Sequence, residues 1–244
     1  MGLRHENDEY LDLLEKTLLY SFWAEPFMDW NGKKLDGCIT DEQRQKGTAA
    51  WPSMAFTMIG QLRLQNVRQL IRAAMKQNIP GDFVECGCWR GGACMYARAC
   101  LAPDRIVHVC DSFQGFPKNE PETHWKEISI LAVSQTDVMK NFQMFRLLEG
   151  VNFVAGNFED TLPKWTGEIA VLRIDCDSMK SNREVLWNLY PKVSPGGFVI
   201  CDDSRVIPCL EGAYSFYLGY EPKWNVIDES GAWFQKPHSG EPKR

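Results

Sequence analysis

The chain has 244 residues, 44% of them hydrophobic and 24% charged, with a formal net charge of −5. That balance suits a globular protein with one sizeable core and leaves little room for a disordered or fibrous chain. No Lys/Arg block and no apolar run of about 18 residues stands out, so neither nucleic acid nor a membrane is an expected partner.

The charged start, residues 1–10, lacks the apolar stretch of a signal peptide, and a cytoplasmic protein is expected. The nine cysteines agree with this. Cys86, Cys88, Cys110, Cys176 and Cys201 sit in or beside apolar runs, where reduced thiols serve as small core residues. Cys86-x-Cys88 is not a zinc spacing, and no second Cys/His pair completes it.

Residues 1–79 read as a mostly helical N-terminal region. Tyr10, Leu11, Leu14 and Leu18 recur at helical spacing in a helix over 6–19. A loop rich in Gly, Asp and Pro follows over 28–52. A second helix, over 54–77, carries Met58, Leu62, Val67, Leu70, Ile71 and Ala74 on one face. Asn78-Ile79-Pro80-Gly81 stops it.

From residue 80 to 236 short apolar runs alternate with helices. Strands are expected at 82–86, 106–110, 151–155, 169–174 and 198–201. Helices are expected at 93–100, 136–148 (Thr136 as N-cap), 181–190 and 208–217. Residues 221–227 and 232–235 suit a closing antiparallel hairpin, and 237–244 a polar tail. Such alternation predicts an α/β fold with a doubly wound, mostly parallel sheet, whose ligand site lies at the carboxyl ends of the strands.

Polar residues cluster at those ends. Glu85, Gly87, Gly91 and Gly92 follow the first strand, and Asp111 ends the second. Asn157, Phe158 and Asp160 follow the third; Asp175 and Asp177 end the fourth; Asp202 and Asp203 end the fifth. The glycine turn is not in the dinucleotide spacing. Glu85 beside it would repel a pyrophosphate but not a cationic amino-acid nucleoside, which favours S-adenosylmethionine over NAD. Asp111 is placed to accept both ribose hydroxyls, and Phe158 and Asp160 to flank the adenine. Plainer roles exist: a tight turn for the glycines, a turn carboxylate for Asp111, a helix N-cap for Asp160.

Asp175 and Asp202 are 27 residues apart, the length of a strand end, a helix and a return strand, so their ends should be neighbours. Three or four carboxylates then converge, and a divalent cation relieves their repulsion. All-oxygen ligands point to Mg²⁺ or Ca²⁺. Asp175, Asp202 and Asp203 are the expected ligands, with Asp177 as the base that takes a proton from a bound hydroxyl. The plainer reading makes these residues helix N-caps, some paired with Arg173 or Lys180.

At this point the chain resembles the macrocin and mycinamicin O-methyltransferases. The matching stretches are Thr57-Met-Ile-Gly60 with Arg63-Leu-x-Asn66, residues 80–85, Trp89-Arg-Gly-Gly-Ala93 and Asp111-Ser-Phe-x-Gly-Phe-Pro117. They continue through Gly156-x-Phe-x-Asp-Thr-Leu-Pro163, Arg173-Ile-Asp-x-Asp177, residues 189–197 and Asp202-Asp203. The resemblance implies a class I methyltransferase fold with seven strands, S-adenosylmethionine as donor and Mg²⁺ at Asp175, Asp202 and Asp203, with Asp177 as base. It extends the cofactor set to Thr57, Met58, Arg90 and Ser112. It also implies a hydroxyl-bearing small-molecule acceptor such as a glycoside, a homo-oligomer, and an N-terminal lid. Cys176, Ser178 and Ser204 depart from the pattern near the acceptor.

The acceptor pocket is expected beneath the N-terminal region and residues 117–125. Trp23, Phe27, Trp30, Trp51 and Trp125 are candidates to stack on the acceptor, each equally suited to a core. His124 is a candidate accessory acid or base, or a surface residue. A non-sugar acceptor and a cofactor-binding scaffold are the competing readings; four clustered carboxylates argue against the scaffold.

Overall fold

The structure is a computed structural model that describes residues 4–29, 31–47, 51–116, 128–207 and 210–238. Trp30, residues 117–127 with His124 and Trp125, and the tail beyond 238 lie outside the described residues.

Helix α1 spans Asp8–Leu18, with the Asn7 side chain accepting from the Tyr10 amide as its cap. The stretch expected as a loop is instead structured. Strands β1 (Pro26–Met28), β2 (Lys34–Cys38) and β3 (Trp51–Pro52) form a small antiparallel sheet in the order β2-β1-β3. Helix α2 (Asp41–Lys46) sits between β2 and β3, capped by a Thr40/Gln43 capping box and by Gly47 in the left-handed region. These elements are too short and too polar to show hydrophobic periodicity. The second long helix, α3, runs Gln61–Lys76 and begins seven residues later than expected. Phe56 and Gly60 explain the delay: the Phe56 amide bonds to Leu18 O and its carbonyl to the Gly92 amide, and Gly60 is the N-cap.

Strands β4 (Asp82–Cys86), β5 (Val107–Asp111), β6 (Val151–Ala155), β7 (Ile169–Ile174) and β8 (Val193–Cys201) are parallel. They join β9 (Asn225–Val226) and β10 (Ala232–Gln235) in a seven-stranded sheet of order β6-β5-β4-β7-β8-β10-β9. The last two pair antiparallel, as the expected hairpin. Helices α4 (Gly92–Cys100), α5 (Gln135–Met144), α6 (Phe158–Thr161), α7 (Met179–Leu189) and α8 (Leu210–Leu218) complete the fold. Helix α5 is capped by Ser134 rather than Thr136, and α6 starts after Asn157.

The sheet's two faces bury separate cores. Phe83, Val107, Val109, Val171, Phe198 and Ile200 face α1, α3, α4 and α5. Val84, Cys86, Leu172, Ile174, Val199 and Cys201 face α7 and α8. Every residue of β7 is buried, as a central parallel strand requires. Each such Val, Ile or Leu contributes about 1.5–3 kcal/mol by leaving water. The eight described cysteines are free thiols, seven of them buried. Among the described residues no helix is long and apolar enough to cross a membrane.

Candidate active site

The order of the sheet reverses between β4 and β7, which opens a crevice at their carboxyl ends. A cavity of about 390 Å³ lies there. Its wall includes Glu85, Gly87, Asp111, Ser112, Asn157, Phe158, Asp175, Asp177, Asp202 and Asp203, with Thr57 and Met58 above. Five strand ends therefore meet one space.

Gly87 makes the turn after β4 possible. Its φ is +89°, and a Cβ there would lie 1.8 Å from the Asp175 carbonyl oxygen. Only glycine allows the turn and the β7 end to touch. Asp111 braces the same turn: its carboxylate accepts from the Cys88 amide at 2.8 Å and from the Phe113 amide at 2.8 Å. Trp89, in the left-handed region, donates its indole N–H to Ile130 O at 2.8 Å.

Arg90, Gly91 and Gly92, expected around the cofactor, are not part of the cavity wall. They hold its roof. Arg90 donates to Ala55 O at 2.7 Å and Ser53 O at 3.2 Å, and Gly92 N bonds to Phe56 O at 2.9 Å. From the other side buried Glu25 accepts the Met54 and Ala55 amides while paired with Arg44 at 3.2 Å. Asp160 is exposed within α6 and absent from the wall, whereas Asn157 and Phe158 reach it. Of the expected aromatics, Trp51 lines the cavity. Trp23 is exposed and stacks on Tyr20, and Phe27 lies against Gly37.

The deepest part is ionic. Glu85 and Arg173 are direct cross-strand partners of β4 and β7, and alternation puts them on one face with Val171 and Ile200. Arg173, fully buried, donates to Glu85, to Asp202, and to Asp175 at 2.9 Å. Cys94 donates its thiol to the second Glu85 oxygen at 2.7 Å. Arg63 of α3 reaches the other Asp202 oxygen, so both Asp202 oxygens face arginines. Arg63 and Arg173 thus organise the site. The signal for Arg173 in the sequence was an arginine inside an otherwise apolar strand, which must find carboxylates when buried; Arg63, on a helix, carried no such signal.

Asp175, which keeps its contact with Arg173, also groups with Asp177 and Asp203, one carboxylate oxygen from each lying within 4.8 Å of the others. Asp202, expected among the metal ligands, is turned to the arginines, and Asp177 stands in the trio. Burial and then the neighbouring Asp202 charge push Asp177 up to about 7. Burial, with Asp202 next, also raises Asp175. Asp203 is raised by burial and then by Asp177. Asp202 goes the other way: burial opposes ionisation, but Arg63 and Arg173 hold it below the usual carboxylate range. One oxygen of Asp203, Oδ2, is buried without a hydrogen-bond partner among the described residues. Three crowded carboxylates with such an orphan oxygen fit a hard divalent cation. None of the three caps α7; Ser178 does, accepting from the Ser181 amide. Lys180 pairs with Glu159 at 3.2 Å, and Cys176 donates to Cys86 O at 3.4 Å. Asp177 itself has φ +55°, a strained backbone for a residue other than glycine.

A family described as Macrocin-O-methyltransferase (TylF) matches residues 7–236. Demethyldecarbamoylnovobiocin O-methyltransferase of Streptomyces niveus is 41% identical over 234 residues, 90% of this chain and 88% of that protein. Mycinamicin III 3''-O-methyltransferase of Micromonospora griseorubida is 36% identical, covering 93% of this chain and 96% of its own. A Streptomyces olivaceus enzyme, 8-demethyl-8-(2,3-dimethoxy-alpha-L-rhamnosyl)-tetracenomycin-C 4'-O-methyltransferase, is 35% identical, covering 93% and 92%. Among solved structures, the O-methyltransferase NovP superposes with a TM-score of 0.86 at 38% identity, over 94% of this chain and 99% of that one.

Proposed function

Because this chain belongs to the macrocin O-methyltransferase family, and so is a methyltransferase, we propose that it moves the methyl group of S-adenosylmethionine to a hydroxyl of a glycosylated natural product. The observation that carries this reading is the single cavity in which the glycine turn and Asp111 meet the trio Asp175, Asp177 and Asp203. The rhamnosyl group in one relative's name supports a sugar hydroxyl as the acceptor.

Asp111 keeps lone pairs beyond those used by Cys88 and Phe113, and these suit the ribose hydroxyls. Phe158 and Met58 offer apolar surface for the adenine, and Thr57 and Asn157 polar edges. Glu85, with one oxygen on Arg173 and the other on Cys94, forms part of the cavity wall beneath the turn. Arg90 and Gly92 act through the roof they support.

Asp175 and Asp203 would hold Mg²⁺, an ion commonly bound through one or two carboxylates with water and substrate completing its shell. Bound there, it would supply Lewis acidity that eases deprotonation of the acceptor hydroxyl. Asp177 takes that proton on a carboxylate oxygen. A carboxyl that burial and then the Asp202 charge push up to about 7 is well matched to a base working at neutral pH. As the acceptor oxygen bonds to the methyl carbon, the carbon–sulfur bond breaks with its electrons going to sulfur, and S-adenosylhomocysteine leaves. A homo-oligomer in the cytoplasm belongs to the same proposal, on family grounds.

Calorimetric titration with S-adenosylhomocysteine, with and without Mg²⁺, tests the donor site. One-site binding supports the reading, and no binding in either condition overturns it. Methyl gain on glycosides, lost in excess chelator and restored by Mg²⁺, tests the rest; full activity in chelator would sink the metal.

A further inference from the structure

Trp89 stands in the glycine turn with a φ of +47°, a region that glycine adopts freely and a bulky side chain avoids. Such a backbone persists only where its surroundings fix it. Three contacts do so here. The indole Nε1–H donates to Ile130 O at 2.8 Å, across 41 residues of chain. The Arg90 guanidinium lies over the ring, 4.1 Å from its centroid. Asn141 of α5 donates its side-chain N–H to Arg90 O at 3.0 Å.

Ile130 belongs to the single turn Ser129–Leu131, none of whose residues is buried. Inside the turn the Leu131 amide donates to Ile128 O at 3.3 Å and the Ala132 amide to Ser129 O at 3.1 Å. One turn of this kind does not hold itself in water. Yet Leu131 lines the cavity, together with Gly115 and Phe116 of the same connection. Ala132 backs Gly115 closely, since a Cβ on Gly115 would lie 3.2 Å from the Ala132 Cβ. Through Arg90 the donor turn also reaches Ser53 O and Ala55 O in the roof. Two consecutive side chains, Trp89 and Arg90, thus tie the glycine turn to two walls of one cavity.

We propose that Trp89 is a positioning residue for the donor. Its indole N–H holds the Ile130–Leu131 wall in place, so that S-adenosylmethionine meets a formed site and does not have to order it. This rests on the reading of the cavity as the S-adenosylmethionine site. A wall that is in place in only a fraction of molecules lowers the apparent affinity by that fraction.

The test compares wild type with Trp89→Phe, which keeps an aromatic ring beside Arg90 and removes the N–H. S-adenosylhomocysteine affinity is measured by calorimetry. Backbone hydrogen exchange is followed by mass spectrometry in peptides covering residues 128–134 and the central strand, residues 169–174. Trp89→Phe should bind about three- to tenfold more weakly, the effect of one lost hydrogen bond. Its 128–134 peptide should exchange faster without ligand and return towards the wild-type rate at saturating S-adenosylhomocysteine, while 169–174 stays unchanged. Unchanged affinity overturns the inference, whatever the exchange shows, and leaves the donor reading standing. Weaker binding without faster exchange at 128–134 overturns it too. So does faster exchange at 169–174 as well, the mark of a merely structural indole. No binding by wild type overturns both readings. If Trp89→Phe does not fold, wild type alone decides: S-adenosylhomocysteine should slow exchange at 128–134, and protection confined to residues 87–92 overturns the inference.

Discussion

Replacing Asp177 by Asn removes one charge from the trio and keeps the shape, since Asn accepts the φ of +55° at this position. The carboxyl titrates at about 7 instead of its ordinary 3.8. A raised folded value means that the folded state favours the protonated form. The cost is absent below about pH 4, grows between about pH 4 and 7, and is complete above that window. At about 1.4 kcal/mol per pH unit, the ceiling at pH 8 is about 4 kcal/mol. Water entering the cavity screens part of the repulsion, so about 2 kcal/mol is the working figure. For a chain of this size that corresponds to a rise of about 4–8 °C in Tm. Chemical and thermal unfolding in excess chelator at pH 8 should therefore find Asp177→Asn more stable than wild type, with the gap more than halved at pH 5. Turnover should fall by about 10²–10⁴, the usual contribution of a general base, while S-adenosylhomocysteine affinity holds. A variant no more stable than wild type at pH 8, or a gap independent of pH, would refute the electrostatic reasoning. Substantial residual turnover would refute Asp177 as the base.

Asp111→Ala should weaken S-adenosylhomocysteine by about tenfold to a hundredfold, the loss of a charged hydrogen-bond acceptor, in a calorimetric titration. Unchanged affinity would assign Asp111 to the turn alone. Gly87→Ala meets the Asp175 carbonyl at 1.8 Å and adopts a positive φ, so soluble yield and Tm should collapse; a Tm within about 2 °C of wild type, under 1 kcal/mol at this size, would contradict the close approach. Arg173→Met leaves Glu85 buried without a cation and takes one arginine from Asp202, which keeps Arg63, and from Asp175. We expect a loss of about 3–5 kcal/mol in urea unfolding, and a neutral result would mean that Glu85 is protonated in the folded state.

Much of this protein was readable without coordinates, because its strands are long apolar runs ended by glycine or aspartate. Residues 82–86, 151–155 and 169–174 show a period and a stop that need only local chemistry. The convergence of Asp111, Asp175 and Asp203 followed from topology alone, since parallel strands joined by right-handed crossovers bring their carboxyl ends together. What lay between Met28 and Gly60 was not readable. The β1–β3 sheet and α2 are held by Glu25, Arg44 and Arg90, whose partners lie 19 to 37 residues away in the chain, and no local period records such pairings. The division of labour among the aspartates was also decided by tertiary structure. Asp202 and Asp203 are identical side chains on consecutive residues. Only the arrival of Arg63 from one helix and Arg173 from the neighbouring strand separates a carboxylate held in an ion pair from one left facing the cavity. A side chain's identity is local, but its ionisation and direction depend on which charges the fold brings within a few ångströms of it.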